Sequence, residues 1–338
     1  MKLVWHHPLM RQKDWIRFIF GNLITGEIED PDFTCLEDDT IHVVSMIFHP
    51  LRAMEDYFQQ CRRVCRNIVL YHAGDEWLSG GCGPYKYFDN VVRELPSFFT
   101  RSEGIACIPL GSPTNDPSSH SWKPASQRKF IWSFAGEIRN TRIEMVKHFD
   151  RVPRGNLVDT NSSPPLSTSE YYELLRESVF APCGMGNIIT ETWRVYEAIE
   201  SGAIPLVERR MTLDYYGQLF VKHPLPTFNN WRDAATFAKG MMNDEKALDF
   251  LQRDITTWWK EYKNRLVDQI TTMLSRSHND DLLKYSRRAI NNNMFLHESL
   301  RVAELLRHQS AQNLRRRLSN PIAPMRRILL GLSKKDER

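Results

Sequence analysis

Residues 179–207, VFAPCGMGNIITETWRVYEAIESGAIPLV, constrain the fold more than any other stretch of the chain. The apolar run Val179–Ala181 reads as a short buried strand, and Ala203–Val207 as a second. Between them a loop with Pro182, Gly184 and Gly186 opens onto a helix, Thr190–Ser201, which Gly202 stops. Strand, loop, helix and strand in that order build a parallel sheet. The loop ends at a helix N-terminus, where unpaired backbone N–H groups and the helix dipole favour an anion. Arg194 and Glu197 stand three apart and share a face of that helix. A guanidinium for phosphates and a carboxylate for ribose hydroxyls suit a nucleotide diphosphate. The same residues also fit an ordinary α/β turn with a surface ion pair, so spacing alone leaves both readings open.

The alternation extends along the chain. Residues 2–6, Thr40–Phe48 and Arg66–Tyr71 read as strands, with helices at Trp15–Ile24 and Leu51–Cys65 between them. Val91–Phe99 and Ile105–Leu110 read as two more strands, completing a first α/β block. The polar, Ser- and Pro-rich stretch Ser112–Arg128 reads as a linker or long loop. A second block follows, with strands at Lys129–Ala135 and Asn156–Asp159 and helices at Thr141–Asp150 and Ser167–Ser178. Beyond Val207 the pattern turns helical, at Asn230–Asn243, Lys246–Ser275 and His278–Leu318. Trp258, Trp259 and Tyr262 mark a packed face on the middle one. In open parallel sheets ligands bind beyond the carboxyl ends of the strands, which shortens the list of candidate loops.

With these residues laid out, the central stretch resembles the C-terminal domain of the exostosin-like glycosyltransferases (family 47). There a Pro-x-Gly loop leads to a Ser-x-Arg-x-x-Glu-Ala helix and then to Gly-x-Ile-Pro-Val. The matching residues are Pro182, Gly184, Thr192 in place of the serine, Arg194, Glu197, Ala198, Gly202, Ile204 and Pro205. Phe134-Ala135-Gly136, followed by Arg139 and Arg142, resembles that family's Phe-Ala-Gly element with its arginine. The resemblance runs over Lys129–Glu208, with a longer loop between Gly184 and Thr192, and the first 120 residues match only in outline.

The resemblance implies an α/β fold of the GT-B kind, with two Rossmann-like lobes facing a cleft and a helical C-terminal extension. The expected organisation is an acceptor lobe over 1–120, a donor lobe over 121–275 and an extension over 276–338. The implied activity is inverting transfer of a sugar, hexosyl or pentosyl, from a nucleotide-sugar donor, UDP-linked by expectation. The acceptor would be a glycan, a polyol phosphate or a lipid-linked group, as in polysaccharide or glycoconjugate synthesis. Donor-binding candidates are Gly136, Arg139, Arg142, Gly184, Thr190, Glu191, Thr192, Arg194 and Glu197. Arg139 and Arg194 would hold the diphosphate, Glu197 the ribose, and the two glycines would let backbone approach the ligand. Arg142 either joins them or pairs with Glu144 or Asp150.

Inversion needs one base for the acceptor hydroxyl. Asp75 and Glu76, after the third strand and before the glycines of 79–83, are the candidates; His6 and His7, after the first, are the alternatives. A helix-capping Asp75 and a solvated Glu76 would be the ordinary reading of the same residues. No Asp-x-Asp stands where a catalytic divalent ion would need it, and the arginines offer a clamp for the leaving diphosphate, so the expectation is transfer without a metal or other cofactor.

Two other classes stay open: a different enzyme on this architecture, such as a polyol-phosphate transferase or nucleotide-sugar epimerase, and a non-catalytic sugar-binding or scaffolding subunit. The first lobe lacks the Gly-x-Gly-x-x-Gly of a bound dinucleotide. The six cysteines are scattered without a zinc-like set and read as free thiols. No signal core follows the start and no 18-residue apolar run exists, so the expected compartment is cytoplasmic. The net charge of +4 gathers in residues 301–338, which hold ten Lys/Arg against three acids. Within it, 314–332 (LRRRLSNPIAPMRRILLGL) mixes arginine with Ile, Met and Leu, a pattern for an anionic membrane surface or for a terminal helix folded back on the protein. No nucleic-acid reader motif is present.

Overall fold

The computed structural model describes residues 1–7, 11–29, 39–45, 51–76, 83–95, 104–113, 122–186, 189–209 and 214–275. The chain divides into two compact units, Met1–His297 and Glu298–Arg338, and the second lies wholly outside the described residues. The expected helix at 278–318, the basic segment 314–332 and the glycines of 80–81 also lie outside them.

Two parallel sheets form the first unit. The first contains β1 (Lys2–Trp5), β2 (Gly26–Glu29), β3 (Asp39–Ser45), β4 (Asn67–Ala73), β5 (Asn90–Glu94) and β6 (Ile105–Ile108). Its order is β2-β1-β3-β4-β5-β6, and every pairing is parallel. The second contains β7 (Phe130–Gly136), β8 (Gly155–Asp159), β9 (Ser178–Cys183), β10 (Ile204–Glu208) and β11 (Thr227–Phe228), in the order β11-β10-β9-β7-β8. Helices cover both sheets: α1 (Lys13–Phe20) and α2 (Glu55–Val64) on the first, α3 (Thr141–Phe149), α4 (Thr168–Arg176), α5 (Trp193–Glu200), α6 (Tyr215–Phe220) and α7 (Trp231–Met241) with the second. The 31-residue α8 (Glu245–Ser275) follows.

Local chemistry accounts for these elements. Strands β3, β4, β9 and β10 are buried along almost their whole length, so they read as continuous apolar runs and not as alternation. Helix α1 turns Trp15, Ile16, Ile19 and Phe20 inward at helical spacing. Ser167 caps α4 in a capping box with Glu170. Asn230 caps α7 by accepting from the Asp233 N–H at 2.9 Å. Strand β2 escapes sequence reading because GEIE is half exposed and sits at a sheet edge. Strand β11 has two residues, too few for any periodicity.

Helix α8 joins the two halves. Its Trp259 stacks on Trp15 of α1 at 5.9 Å and on Tyr196 of α5 at 5.1 Å between centroids. Trp259 Nε1 and Lys263 Nζ both donate to Glu200 Oε1, at 2.7 and 2.6 Å. The aromatic stripe on this helix is thus core at Trp259, while Trp258 and Tyr262 pack on Phe220. Arg128 is buried where α4 and α5 end. Its guanidinium donates to the carbonyls of Leu175, Ser178 and Ser201, a cation set against two helix C-termini. Gly202, at φ +69°, leaves room for it: a Cβ there would lie 2.7 Å from an Arg128 nitrogen.

Candidate active site

The C-terminal ends of β7 and β9, beside the starts of α3 and α5, bring several of the expected residues together. Arg194, in the first turn of α5, donates from Nη2 to the carbonyl of Ala135 at 2.5 Å. Its Cζ lies 4.3 Å from the centroid of the Phe134 ring, and Arg142 lies over the same ring at 5.7 Å. Arg142 donates from Nη1 to the Glu137 carbonyl at 3.0 Å, and Arg139 pairs with the Glu137 carboxylate at 3.0 Å. Neither Glu144 nor Asp150 holds Arg142; Glu144 faces Lys147 and His148 instead.

The guanidiniums feel one another. Burial, and after it the charges of Arg194 and Arg139, bring Arg142 down to about 10. Cys183 lies beneath them at the end of β9, its thiol pushed up to about 12 by burial against the pull of both Arg194 and Arg142. The Nε groups of Arg142 and Arg194 are buried and, among the described residues, have no acceptor; nor do Thr192 Oγ1 and Trp193 Nε1 nearby. Buried donors without acceptors are uncommon in folded proteins, and several beside clustered positive charge mark a place for an anion with many oxygens.

Two glycines shape this cluster. Gly136 has φ +150°, and a Cβ there would meet Arg194 Nη2 at 2.8 Å. A Cβ on Gly184 would meet Arg142 Cγ at 2.8 Å. Each glycine admits one arginine.

Glu197 lies one turn after Arg194 and accepts from the Tyr171 hydroxyl at 2.7 Å. Burial raises its pKa, while that hydrogen bond and the charges of Arg194 and Arg11 oppose the rise. Arg11 belongs to the segment after β1, so the first lobe reaches the electrostatic field of this site. Thr192 occupies the N-cap of α5 without a side-chain capping bond. Thr190 contributes its carbonyl to the Tyr216 hydroxyl at 3.4 Å.

The remaining candidates are placed differently. Glu191 joins the lobes instead of facing the arginines. It accepts from the Leu110 N–H at 2.9 Å, from Tyr215 at 2.5 Å and from Tyr196. The expected base Asp75 is 2% exposed and ion-paired at 2.7 Å with Arg93, itself 1% exposed. Arg93 also donates to Tyr85 at 2.8 Å and contacts His72 Nδ1 at 3.0 Å, and burial with that cation pushes His72 down to about 3. This carboxylate is part of a buried brace, neither a helix cap nor a group open to substrate. Glu76 is half-buried at the end of the described segment, its N–H on the Gly74 carbonyl at 2.8 Å. His6 and His7 are both half-buried after β1, and His6 Nε2 lies 2.9 Å from His42 Nδ1.

Sequence reading missed Tyr171, Arg11, His42 and Glu94. His42 left a signal, an imidazole inside the apolar strand TIHVVS; the others left none, because their roles depend on which elements pack together. Among the described residues no cluster of three or more His, Cys, Asp or Glu side chains could hold a metal ion, and no helix is long and apolar enough to cross a membrane.

With this geometry in view, comparison with solved structures places the architecture. The Anabaena protein Alr3699/HepE, solved in complex with UDP and glucose, superposes with a TM-score of 0.50 at 11% identity, covering 81% of this chain and 99% of that one. The fold is that of the GT-B glycosyltransferases. An α1,3-fucosyltransferase gives 0.49 at 12% identity, over 83% of this chain and 92% of its own. The T4 phage enzyme BGT, solved with UDP and Mn2+, gives 0.47 at 13%, over 82% of this chain and all of its own. Residues 117–278 match the family model of the RXYLT1 C-terminal domain, which spans the whole second sheet, the arginine cluster and α8. No curated protein sequence matches the chain.

A pair of buried acids, Glu94 and Glu191, gives this GT-B chain a pH dependence. Glu94 accepts from Tyr71 at 2.5 Å and from Gln12 at 3.0 Å on Oε1, and from the Gly74 N–H at 3.2 Å on Oε2. Burial, opposed by the hydrogen bonds from Tyr71, Gly74 and Gln12 and helped by Glu191, itself raised to about 6 by burial, brings it up to about 8. A carboxyl whose pKa is higher folded than unfolded holds extra protons in the native state. Its contribution is full below the unfolded value of about 4.5 and is lost as pH rises through about 8. Thermal melts should therefore show stability falling by about a few kcal/mol between pH 5 and 8.5. Glu94→Gln should flatten that slope; an unchanged slope in the variant would remove Glu94 as its source.

Proposed function

We propose that this chain is an inverting glycosyltransferase that takes a UDP-linked sugar in its second lobe and transfers it to a hydroxyl presented by its first. One observation carries the reading: Arg142 and Arg194 hold buried, unpartnered Nε donors in a cluster with Arg139, at the carboxyl ends of β7 and β9 beside the N-terminus of α5. Such a site suits the diphosphate of the donor and the charge that grows on it as the glycosidic bond breaks. Glu197 and Tyr171, one turn along, suit the ribose hydroxyls, and Thr192 offers a further polar contact. The Anabaena structure holds UDP and glucose in the same overall fold, which supports a uridine donor. The matched model is that of an exostosin-like xylosyltransferase domain, which supports a pentosyl group over a hexosyl one. The acceptor would be a glycan, a polyol phosphate or a lipid-linked group, with 314–332 as the segment for an anionic membrane.

The clamp supplies positive charge without a metal. UDP should raise the melting temperature, since a ligand that binds only the native state stabilises it by mass action. The rise should persist in EDTA. Absence of any shift with UDP or UDP-xylose would count against the donor site, and a shift abolished by EDTA would count against the metal-free reading. The brace on Asp75 favours a second reading, a donor-binding subunit without catalysis. Free UDP released from UDP-xylose or UDP-glucose separates the two.

A further inference from the structure

The chain leaving β6 is held by side chains from both lobes. The dipeptide Pro109-Leu110 has three main-chain polar groups, and each meets a side chain. Trp15 Nε1 donates to the Pro109 carbonyl at 3.2 Å and Gln12 Nε2 to the Leu110 carbonyl at 3.0 Å, both from the first lobe. Gln12 Nε2 also donates to Glu94 Oε1 at 3.0 Å, which ties Leu110 to the end of β5. The third group, the Leu110 N–H, donates to Glu191 Oε1 at 2.9 Å, 81 residues along the chain. Glu191 stands immediately before Thr192, the N-cap of α5, and Arg194 follows it by three. The same Oε1 accepts from Tyr196 of α5, and Oε2 accepts from Tyr215 of α6 at 2.5 Å. Three donors on one buried carboxylate leave it no freedom to turn. Thr192 makes no side-chain capping bond, so the start of α5 is held from outside the helix and not by its own cap.

We propose, resting on the donor-site reading above, that Glu191 is a positioning residue that ties the arginine-bearing start of α5 to the chain leaving the first lobe. The tie runs from the Leu110 N–H through the carboxylate to the backbone of Thr192, and so to Arg194. Without it Arg194 keeps the Ala135 carbonyl and the face of Phe134, but the first turn beneath it loses its lateral hold. A diphosphate then has to order that turn as it binds, which weakens affinity. Coupling of this kind is reciprocal: if the hold on Leu110 strengthens the grip on a ligand, the ligand strengthens the hold on Leu110. The tie needs an oxygen facing Leu110, not a charge. A glutamine supplies one, accepting from Leu110 and Tyr196 while its amide nitrogen donates to the Tyr215 hydroxyl oxygen.

The test uses the full-length protein with UDP as the probe. Amide hydrogen exchange read by mass spectrometry should show UDP slowing exchange at Leu110 as well as in the first turn of α5. In Glu191→Ala, studied well below its melting temperature, calorimetry should show UDP binding weakened by about 10-fold or more, and UDP should no longer slow exchange at Leu110. Glu191→Gln should restore both to near the parent values. A carboxylate with a merely structural role would lower the melting temperature of Glu191→Ala and leave UDP affinity as it was. That result, or a wild-type protein in which bound UDP leaves Leu110 exchange unchanged, would overturn the proposal, and the wild-type measurement decides if the alanine variant does not fold. Failure of the wild-type protein to bind UDP would overturn the donor site instead. Exchange in the first turn of α5 would still decide the tie: faster in Glu191→Ala than in the parent if it holds, unchanged if it does not.

Discussion

Arg194→Ala should lower UDP release, or transfer to any acceptor, by about 100- to 1,000-fold while leaving the melting temperature within a few degrees of the parent. Removal of one preorganised charged donor from a developing anion typically costs about 3–4 kcal/mol of transition-state stabilisation. Here the donor is held on three sides: by the Ala135 carbonyl, by the face of Phe134 and by the close approach that Gly136 allows. That support exists before any ligand arrives, so little of the binding energy goes into ordering the side chain. The fold should tolerate the change because Arg194 is partly exposed and its hydrogen bond ends on a strand-end carbonyl. Steady-state rates across donor concentrations check this. Parent-like kcat and KM in the variant would remove Arg194 from the donor site, and with it the reading of the cluster as a diphosphate clamp.

Asp75→Ala should cost about 3–5 kcal/mol of stability and lower the melting temperature by roughly 10 °C. The loss comes from the cation left behind. Arg93 is 1% exposed, and neither Tyr85 nor the neutral His72 beside it carries a negative charge. Replacing both members of the pair with apolar residues, as in Asp75→Leu with Arg93→Met, should recover much of the stability, since the desolvation cost of two charges disappears together. Glu76→Gln, by contrast, should barely move the melt. Chemical and thermal denaturation of the three variants check the claim. A stable Asp75→Ala protein that has lost turnover would restore the carboxylate as a base.

Much of the architecture was legible because parallel strands covered on both faces leave unbroken apolar runs. LVW, IHVV and IVLY announced the first sheet, and FIWSFA, VFAP and AIPLV the second. Ser167 or Thr168 as the cap, with Glu170 close behind, placed the start of α4 to within one residue, and Ser167 is the one that caps it. That Arg139 and Arg194 stand at neighbouring strand ends was legible for the same reason, since order and spacing decide what stands at a carboxyl terminus; the place of Arg142, which could equally have paired with Glu144 or Asp150, was not. The fate of Asp75 was not, because its partner Arg93 is eighteen residues away on the next strand. Glu191 is a similar case: counted among the donor-binding candidates, it is held by Leu110, Tyr196 and Tyr215, which only the packing of the lobes brings around it. Charged side chains declare their presence in a sequence but not their counterpart.

Helix α5 carries Arg194 at its start and Glu200 at its end, and Glu200 is gripped by Trp259 and Lys263 of α8. The same α8 tryptophan lies on Trp15 of the opposite half. A rotation of one half about the other therefore pulls on a short rod whose far tip is the guanidinium over Phe134. If the first half seats the acceptor, as proposed, its movement reaches the arginine cluster through Trp15, Trp259 and Glu200, with no loop needed to carry the message.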